Sequence, residues 1–137
     1  MNLALNFIQH IGIPVTDLSL SEEFYRKLGF ENVMSSTFLH NGEEGKVAMM
    51  KKGEMIIELY QMPAAALTEI KNRGNGHIDH IAFDVPDIVE AFKILSENGY
   101  NIIEPAPVFL PFWEKGCRYF NITGPGGERI EFNQVLT

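Results

Sequence analysis

The sequence predicts an α+β fold made of two tandem βαβββ modules, which together form a half-open, barrel-like cup of eight strands. Two observations lead to this prediction. The segment that starts at His10 is repeated 70 residues later in the segment that starts at His80. In each copy a helical pattern and several strand patterns follow, and the last strand carries a glutamate between apolar residues, Glu58 in the first copy and Glu131 in the second. The chain therefore reads as one duplicated unit.

The spacing of apolar residues predicts the helix and strands of the first module. Residues 7–15 alternate apolar and other side chains as a strand does, and Asp17 can cap a helix predicted over 18–28. The large apolar residues of this helix recur every four positions and are predicted to face inward: Leu20, Phe24 and Leu28. Gly29 ends the helix, and three further strands are predicted over 32–39, 46–51 and 55–60.

The second module repeats this order. A strand is predicted over 77–85, and Asp87 can cap a helix over 88–97 that ends before Gly99. The residues of this helix predicted to face inward are Ile88, Phe92 and Leu95. Strands are predicted near 101–106, 117–123 and 129–134, with residues 124–127 as the last hairpin turn and residues 107–116 as the longest irregular segment.

The length of the chain favours a single domain spanning 1–137. Module 1 is predicted over about 1–62 and module 2 over about 77–137. Residues 63–76 contain a proline, an alanine run and a glycine-rich stretch, so they are predicted to be the linker.

Charge and cysteine content exclude several classes of partner. A net charge of -7 with 11 Lys and Arg argues against nucleic acid or an anionic membrane surface, because both select a basic face. Cys117 is the only cysteine, so no intrachain disulfide can form. The sequence shows neither a secretory signal pattern nor an apolar run near the roughly 20 residues that span a bilayer. These features predict a cytoplasmic protein.

The alternation of side chains between the two faces of a strand, here called strand parity, selects four residues as one site. In the first strand of each module, His10 and His80 alternate with the apolar residues that the helix should cover. In the last strands, Glu58 and Glu131 likewise alternate with apolar neighbours, so all four side chains are predicted to point to the uncovered, concave face. A carboxylate is costly to bury unless it binds a cation, and two histidines with two glutamates are a ligand set for a divalent metal.

Three other sequence features lie close to this set. His77 competes with His80, but it has no counterpart in the first module and its parity points it to the other face. Tyr60 and Asn133 share the faces of their neighbouring glutamates and could support them. The aromatic segment 109–116 is either a specificity loop or a loop packed against the sheet edge or a partner subunit.

The segments 9–30, 54–61, 76–100 and 126–134 resemble the vicinal-oxygen-chelate superfamily. Its members include glyoxalase I, methylmalonyl-CoA epimerase, extradiol dioxygenases, and fosfomycin- and bleomycin-resistance proteins. The resemblance covers essentially the whole chain and implies the glyoxalase/bleomycin-resistance fold. It places metal ligands in the first and last strand of each module, at the residues that parity selects: His10, Glu58, His80 and Glu131.

The order His, Glu, His, Glu is similar to that of short bacterial glyoxalase I enzymes, which implies nickel or cobalt. Zinc remains possible on ligand chemistry. The resemblance also implies a homodimer, with the modules pairing either within one chain or between two.

The function that this resemblance implies is that of a glyoxalase I-like lyase or isomerase. A metal with open positions can chelate two vicinal oxygens of a small substrate and stabilise the enediolate formed by proton loss. The residue matching Glu131 is the base in glyoxalase-like and epimerase-like relatives, and Glu58 could return the proton. Glyoxalases that use glutathione carry an arginine and an asparagine where this chain has Pro14 and Met62, so strict glutathione dependence is not expected.

Two alternatives stay open. One is an enzyme similar to methylmalonyl-CoA epimerase, and the other is a small-molecule binding protein similar to the bleomycin-resistance proteins. The complete four-ligand set disfavours the binding protein. It also disfavours a fosfomycin-type transferase, which keeps only three ligands, and an iron dioxygenase with two histidines and one carboxylate.

Overall fold

The computed structural model describes residues 1–73, 78–123 and 129–137, which divide into two units. One unit comprises residues 10–79, and the other comprises residues 1–9 together with 80–137. Within the described residues, each unit contains four strands and a helix in the order βαβββ, and the first has one additional helix. The predicted α+β class with two βαβββ modules is confirmed.

The unit of residues 10–79 contains the helix and the strands predicted for the first module, except for the first residues of its first strand. Its elements are β1 (Ile8–Pro14, which begins two residues before the unit), α1 (Leu18–Lys27), β2 (Glu31–His40), β3 (Glu43–Lys52), β4 (Met55–Gln61) and α2 (Ala64–Lys71). β2, β3 and β4 pair antiparallel in chain order, and β4 pairs parallel with β1. The first and last strands of the module therefore lie side by side.

The other unit repeats this arrangement. Its elements are β5 (His80–Asp84), α3 (Ile88–Glu97), β6 (Val108–Leu110), β7 (Cys117–Thr123) and β8 (Arg129–Val135). β6, β7 and β8 pair antiparallel, and β8 pairs parallel with β5. The N-terminal segment joins this unit, because the backbone N–H of Asn6 donates to the carbonyl of Asp84 and the N–H of Asp84 donates to the carbonyl of Phe7.

Both helices that follow a first strand begin as predicted from their sequence; α3 also ends as predicted, and α1 ends one residue earlier than predicted, at Lys27. The carboxylate of Asp17 accepts a hydrogen bond from the backbone N–H of Leu20, and that of Asp87 accepts from Val89 and Glu90. Gly29 and Gly99 follow the helices with positive φ angles of 96° and 77°, a conformation that glycine adopts without strain. The two caps fix where each helix leaves its strand.

Each unit has its own apolar core between the sheet and the helix. In the first unit, Val15, Ile57 and Leu59 pack with Ala48 and Met50, and the half-buried Leu18 and Tyr25 of α1 contact this cluster. In the second unit, Ile88, Ala91 and Leu95 of α3 pack against three strand residues: Phe120, Ile122 and Phe132. Because full burial of a large apolar side chain stabilises by about 1.5–3 kcal/mol, α3 is the more firmly anchored helix.

The predicted inward face of the first helix is wrong. Leu20, Phe24 and Leu28 are 65%, 58% and 51% exposed, and none of the ten residues of α1, all of them described, is buried. Apolar residues four positions apart in sequence share a helix face, but this spacing does not indicate which face of the helix packs against the sheet. In α3 the predicted face is correct, because Ile88 and Leu95 are buried and Phe92 packs against the core.

Two other segments differ from the prediction. The strand expected near 101–106 is reduced to a single bridge between Ile102 and Ile122, and the second strand of the second module is instead Val108–Leu110, inside the segment expected to be irregular. Pro105 and Pro107 lack the backbone N–H that a ladder needs, which explains this shift. The predicted linker contains the helix α2, which its alanine run supports.

The hairpin turn predicted over 124–127 lies outside the described residues, as does His77. Among the helices described, none has the length and apolar character needed to cross a membrane.

Candidate metal centre

The first unit brings His10 next to Glu58. His10 in β1 is 1% exposed, and its Nε2 lies 3.8 Å from Oε2 of Glu58 in β4. The parallel pairing of the two strands sets Gly12, two residues after the histidine, opposite Glu58. Because Ile57 and Leu59 belong to the core, Glu58 points to the face that α1 does not cover.

The second unit builds an equivalent pair from His80 and Glu131. His80 is 4% exposed, Glu131 is 8% exposed, and Nε2 of the histidine lies 3.3 Å from Oε2 of the glutamate. The strand register is the same as in the first unit, because Ala82, two residues after the histidine, stands opposite Glu131. The predicted ligands of each module are therefore neighbours for the same topological reason.

Asn133 holds the second oxygen of Glu131. Its Nδ2 donates to Oε1 of Glu131 at 2.8 Å, and both side chains are buried. The oxygen of Glu131 accepts from the amide N–H of Asn133, so this contact fixes which way the Asn133 amide is turned. One oxygen of Glu131 is thus held by Asn133 and the other faces His80. The first unit has Tyr60 at the equivalent position, two residues after Glu58.

Arg129 contacts the other nitrogen of His80. Its Nη2 lies 3.0 Å from Nδ1 of the histidine. A guanidinium has only donors, so Nδ1 is the acceptor and the ring proton of neutral His80 sits on Nε2, facing Glu131. Arg129 lies two residues before Glu131 and shares its face, which is the signal by which the sequence could have identified it.

Tyr119 lies beside this pair, opposite Asn133 in the ladder between β7 and β8. Burial, and then the nearby carboxylates of Glu104 and Glu131, raise the pKa of the Tyr119 hydroxyl to about 12. The phenol is therefore neutral at physiological pH. Asn121, the next polar residue on the same face of β7, donates to Glu104 through its side-chain amide at 2.8 Å and its backbone N–H at 2.6 Å.

The aromatic segment that follows β6 is partly packed into the second unit. Phe112 is 4% exposed, whereas Phe109 is 56% exposed. Trp113 has a positive φ of 66°, unusual for a bulky residue, and its indole N–H is buried without a hydrogen-bond partner among the described residues. Both alternatives considered from the sequence, a specificity loop and a packed loop, remain predictions.

The donor types fit a divalent metal. Imidazole nitrogens with carboxylate oxygens suit nickel, cobalt and zinc, and each histidine is buried beside a carboxylate that can carry the opposing charge. One contact opposes coordination through Nε2 of His80, because that mode places the ring proton on Nδ1, where Arg129 cannot accept it. Arg129 is exposed, so a rotation of its side chain into solvent would remove this obstacle.

Comparison with known proteins identifies relatives of this arrangement. A family model described as "Glyoxalase/Bleomycin resistance protein/Dioxygenase superfamily" matches residues 7–132. Among individual proteins, the uncharacterized protein YwbC of Bacillus subtilis (strain 168) is 32% identical over 131 residues, which cover 93% of this chain and 96% of YwbC.

Two solved structures show the same fold. Methylmalonyl-CoA epimerase from Mycobacterium tuberculosis matches with a TM-score of 0.80 and 20% identity, over 100% of this chain and 93% of the epimerase. The Streptomyces coelicolor methylmalonyl-CoA epimerase, solved in complex with 2-nitronate-propionyl-CoA, matches with a TM-score of 0.78 and 24% identity, over 98% of this chain and 100% of that chain. At these identities the likeness concerns the fold alone.

Proposed function

Because the chain belongs to the Glyoxalase/Bleomycin resistance protein/Dioxygenase superfamily, we propose that it is a metal-dependent enzyme that removes a proton beside a carbonyl group of a small substrate. The observation that carries the proposal is the repeated His–Glu pair. Each unit places a buried histidine of its first strand against the glutamate of its last strand, in the same register. A structural role alone does not call for this pair twice.

The proposed ligands of one divalent metal are the four members of the two pairs, His10, Glu58, His80 and Glu131. Nickel or cobalt is favoured, and zinc also suits the donor set. When bound, such a cation would polarise the carbonyl oxygen of the substrate and stabilise the negative charge that develops as the neighbouring proton leaves.

Glu131 is the proposed base, a role that would require its carboxylate to be released from the metal when the substrate binds. Its Oε1 is held by Asn133, so the carboxylate has one fixed orientation and its Oε2 is directed towards the space beside His80. Glu58 has the equivalent place in the other unit and would return the proton at the opposite side or at the neighbouring carbon. The neutral hydroxyl of Tyr119 lies near Glu131 and adds no charge that would repel an anionic product.

Two reactions share this proton transfer. One is the glyoxalase I-like conversion of a hemithioacetal, and the other is epimerisation of an acyl-CoA, the reaction for which the two epimerases of the same fold are named. Pro14 ends β1 and Met62 follows β4, and neither offers a charged or hydrogen-bonding side chain for glutathione. We therefore propose that the glyoxalase reaction, if catalysed, accepts thiols other than glutathione.

The experiment that tests this proposal measures solvent deuterium entering the substrate. Wild-type protein loaded with Ni²⁺, Co²⁺ or Zn²⁺ is incubated in D₂O with methylmalonyl-CoA, and separately with methylglyoxal and several thiols. We expect deuterium at the carbon beside the carbonyl for one of these substrates. Glu131→Gln should abolish the exchange, because its amide cannot accept the proton.

Glu104→Gln is the matched control, since Glu104 is a carboxylate of the same unit that is hydrogen-bonded to Asn121 and is not a proposed ligand. This variant should retain exchange. Full exchange in Glu131→Gln would contradict the assignment of the base. A wild-type protein that binds none of the three metals and exchanges no substrate would favour the binding-protein alternative.

A further inference from the structure

Tyr119 lies on the same uncovered face of the second unit as the proposed base. Phe120 and Ile122 of β7 belong to the core, so the alternation of the strand turns Tyr119 to the opposite face. In β8, Phe132 belongs to the same core, and its neighbour Glu131 is turned away from it in the same manner. The tyrosine and the glutamate therefore project from one side of the sheet.

The ladder between β7 and β8 makes Tyr119 a diagonal neighbour of Glu131. Tyr119 stands opposite Asn133, and Asn121 stands opposite Glu131. Diagonal positions on one face of a sheet lie about 7–8 Å apart, a distance that a long aromatic side chain can span. A small substrate that sits over the carboxylate of Glu131 is therefore also within reach of the hydroxyl of Tyr119.

The hydroxyl of Tyr119 is an uncommitted donor among polar groups that are already bonded. The side-chain amide of Asn121 donates to Glu104 at 2.8 Å, and that of Asn133 donates to a second carboxylate, also at 2.8 Å. In the part of the chain that the structure describes, the hydroxyl of the half-buried Tyr119 has no hydrogen-bond partner. A phenol is protonated at neutral pH, and burial together with the two carboxylates raises the pKa of Tyr119 to about 12. The hydroxyl can therefore donate to a ligand on this face.

The first unit shows that the fold does not need a tyrosine at this position. In its ladder between β3 and β4, Val47 stands opposite the residue that lies two positions after Glu58. Val47 is therefore the counterpart of Tyr119, and it is 1% exposed. A buried apolar residue satisfies the sheet at this place, so the packing of the fold does not explain the hydroxyl of Tyr119.

We propose that Tyr119 is a further catalytic residue, whose hydroxyl donates a hydrogen bond to the substrate oxygen that becomes negatively charged. As Glu131 takes the proton, the electron pair of the C–H bond forms a carbon–carbon double bond and the carbonyl oxygen gains the negative charge. Tyr119 keeps its own proton throughout, and its hydrogen bond strengthens as this charge develops. The inference rests on the proposed function, because it requires a substrate carbonyl beside Glu131.

The first test compares Tyr119→Phe with the wild type in steady-state kinetics, on the substrate identified by deuterium exchange. Loss of one donor to a developing oxyanion should lower kcat by about 100-fold. KM should change by less than about threefold, because the hydrogen bond is strong only when the oxygen is charged. Tyr100→Phe is the matched control, since Tyr100 is an exposed tyrosine of the same unit, and it should keep the kcat of the wild type.

Metal content after loading should be equal in the wild type and both variants. A kcat of Tyr119→Phe within about twofold of the wild type would overturn the inference. A fall in kcat matched by a loss of bound metal would also overturn it, because Tyr119 would then support the structure of the centre instead of the reaction.

The second test measures binding without catalysis. Acetohydroxamate is a small anion that chelates divalent metals through two vicinal oxygens, so it presents a negatively charged oxygen without any proton transfer. Isothermal titration calorimetry of the Ni²⁺-loaded proteins should give a dissociation constant about tenfold higher for Tyr119→Phe than for the wild type and Tyr100→Phe, because a hydrogen bond to a charged oxygen is lost.

The binding test separates this inference from the proposed function. Equal affinities, or a wild type that takes up Ni²⁺ but does not bind acetohydroxamate, would overturn the role of Tyr119 even where the wild type exchanges deuterium. The tenfold difference without exchange of any substrate would contradict the proposed function and support Tyr119 as a donor to a bound anion. A wild type that takes up no metal would overturn both.

Discussion

The two modules place a histidine and a glutamate in the same strand register, yet they surround these pairs differently. In the first unit the Nε2–Oε2 distance is 3.8 Å, and in the second it is 3.3 Å. In the second unit an asparagine holds the glutamate and an arginine contacts the histidine, whereas Tyr60 and Ile56 occupy the equivalent positions in the first. The shared feature, a His–Glu pair in the same strand register, serves both the fold and the proposed site. The different residues around the two pairs indicate that the two halves have separate roles.

The helices of the two units also differ, because α3 buries apolar residues that α1 leaves exposed. Substitutions that compare the two helices have the largest expected effect. Leu95→Ala in α3 removes a side chain that is 1% exposed, so it should lower the free energy of unfolding by about 2–5 kcal/mol. Leu20→Ala in α1 should change it by less than about 0.5 kcal/mol when measured at a concentration where the chain is monomeric. Urea unfolding curves provide both values. Similar losses in the two variants would contradict the assignment of different burial to the two helices.

Asn133→Leu tests whether the hydrogen bond from Asn133 to Glu131 matters for chemistry. Loss of the contact to Glu131 frees the carboxylate to take other orientations, so kcat should fall by about 10–100-fold while KM changes little. Steady-state kinetics on the substrate identified by deuterium exchange would measure this split.

Asn121→Leu is the matched control, because Asn121 is equally buried and its amide contacts Glu104 instead of Glu131. It should destabilise the fold to a similar extent without the loss in kcat. Equal kinetic losses in both variants would mean that Asn133 acts only through stability.

Arg129→Gln should have the smallest effect, an increase in metal affinity of a few-fold. Glutamine can accept the proton of Nδ1, which leaves Nε2 of His80 available to the metal, whereas the guanidinium can only donate. Competition with a chelator of known affinity, using Ni²⁺ or Zn²⁺, would measure the change. A clear loss of affinity would show that Arg129 supports the site in a way that this contact does not explain.

Most of the fold was predictable because periodicity and capping act locally. Asp17 and Asp87 mark the helix starts, and α3 has the bounds that its sequence predicts. The failures have physical causes that local patterns do not reveal. Spacing by four could not tell which side of α1 meets the sheet, and the prolines at 105 and 107 moved a strand that apolar residues alone suggested nearby.

The sequence was sufficient to predict the two His–Glu pairs of the candidate site. Parity placed Glu58 and Glu131 on the faces that the helices leave uncovered, and the parallel pairing of first and last strands brings each next to its histidine. The contact between Arg129 and His80 depends on side-chain conformation, which no spacing rule supplies. The union of the two pairs in one metal centre stays a prediction.

Metal stoichiometry tests that central claim most directly. Elemental analysis of the purified chain after loading and desalting should give one divalent ion per chain. His10→Ala and His80→Ala, one from each unit, should each reduce this value to near zero, because each removes a ligand of the same ion. Two ions per chain, or full occupancy in either variant, would contradict a single centre built from both modules.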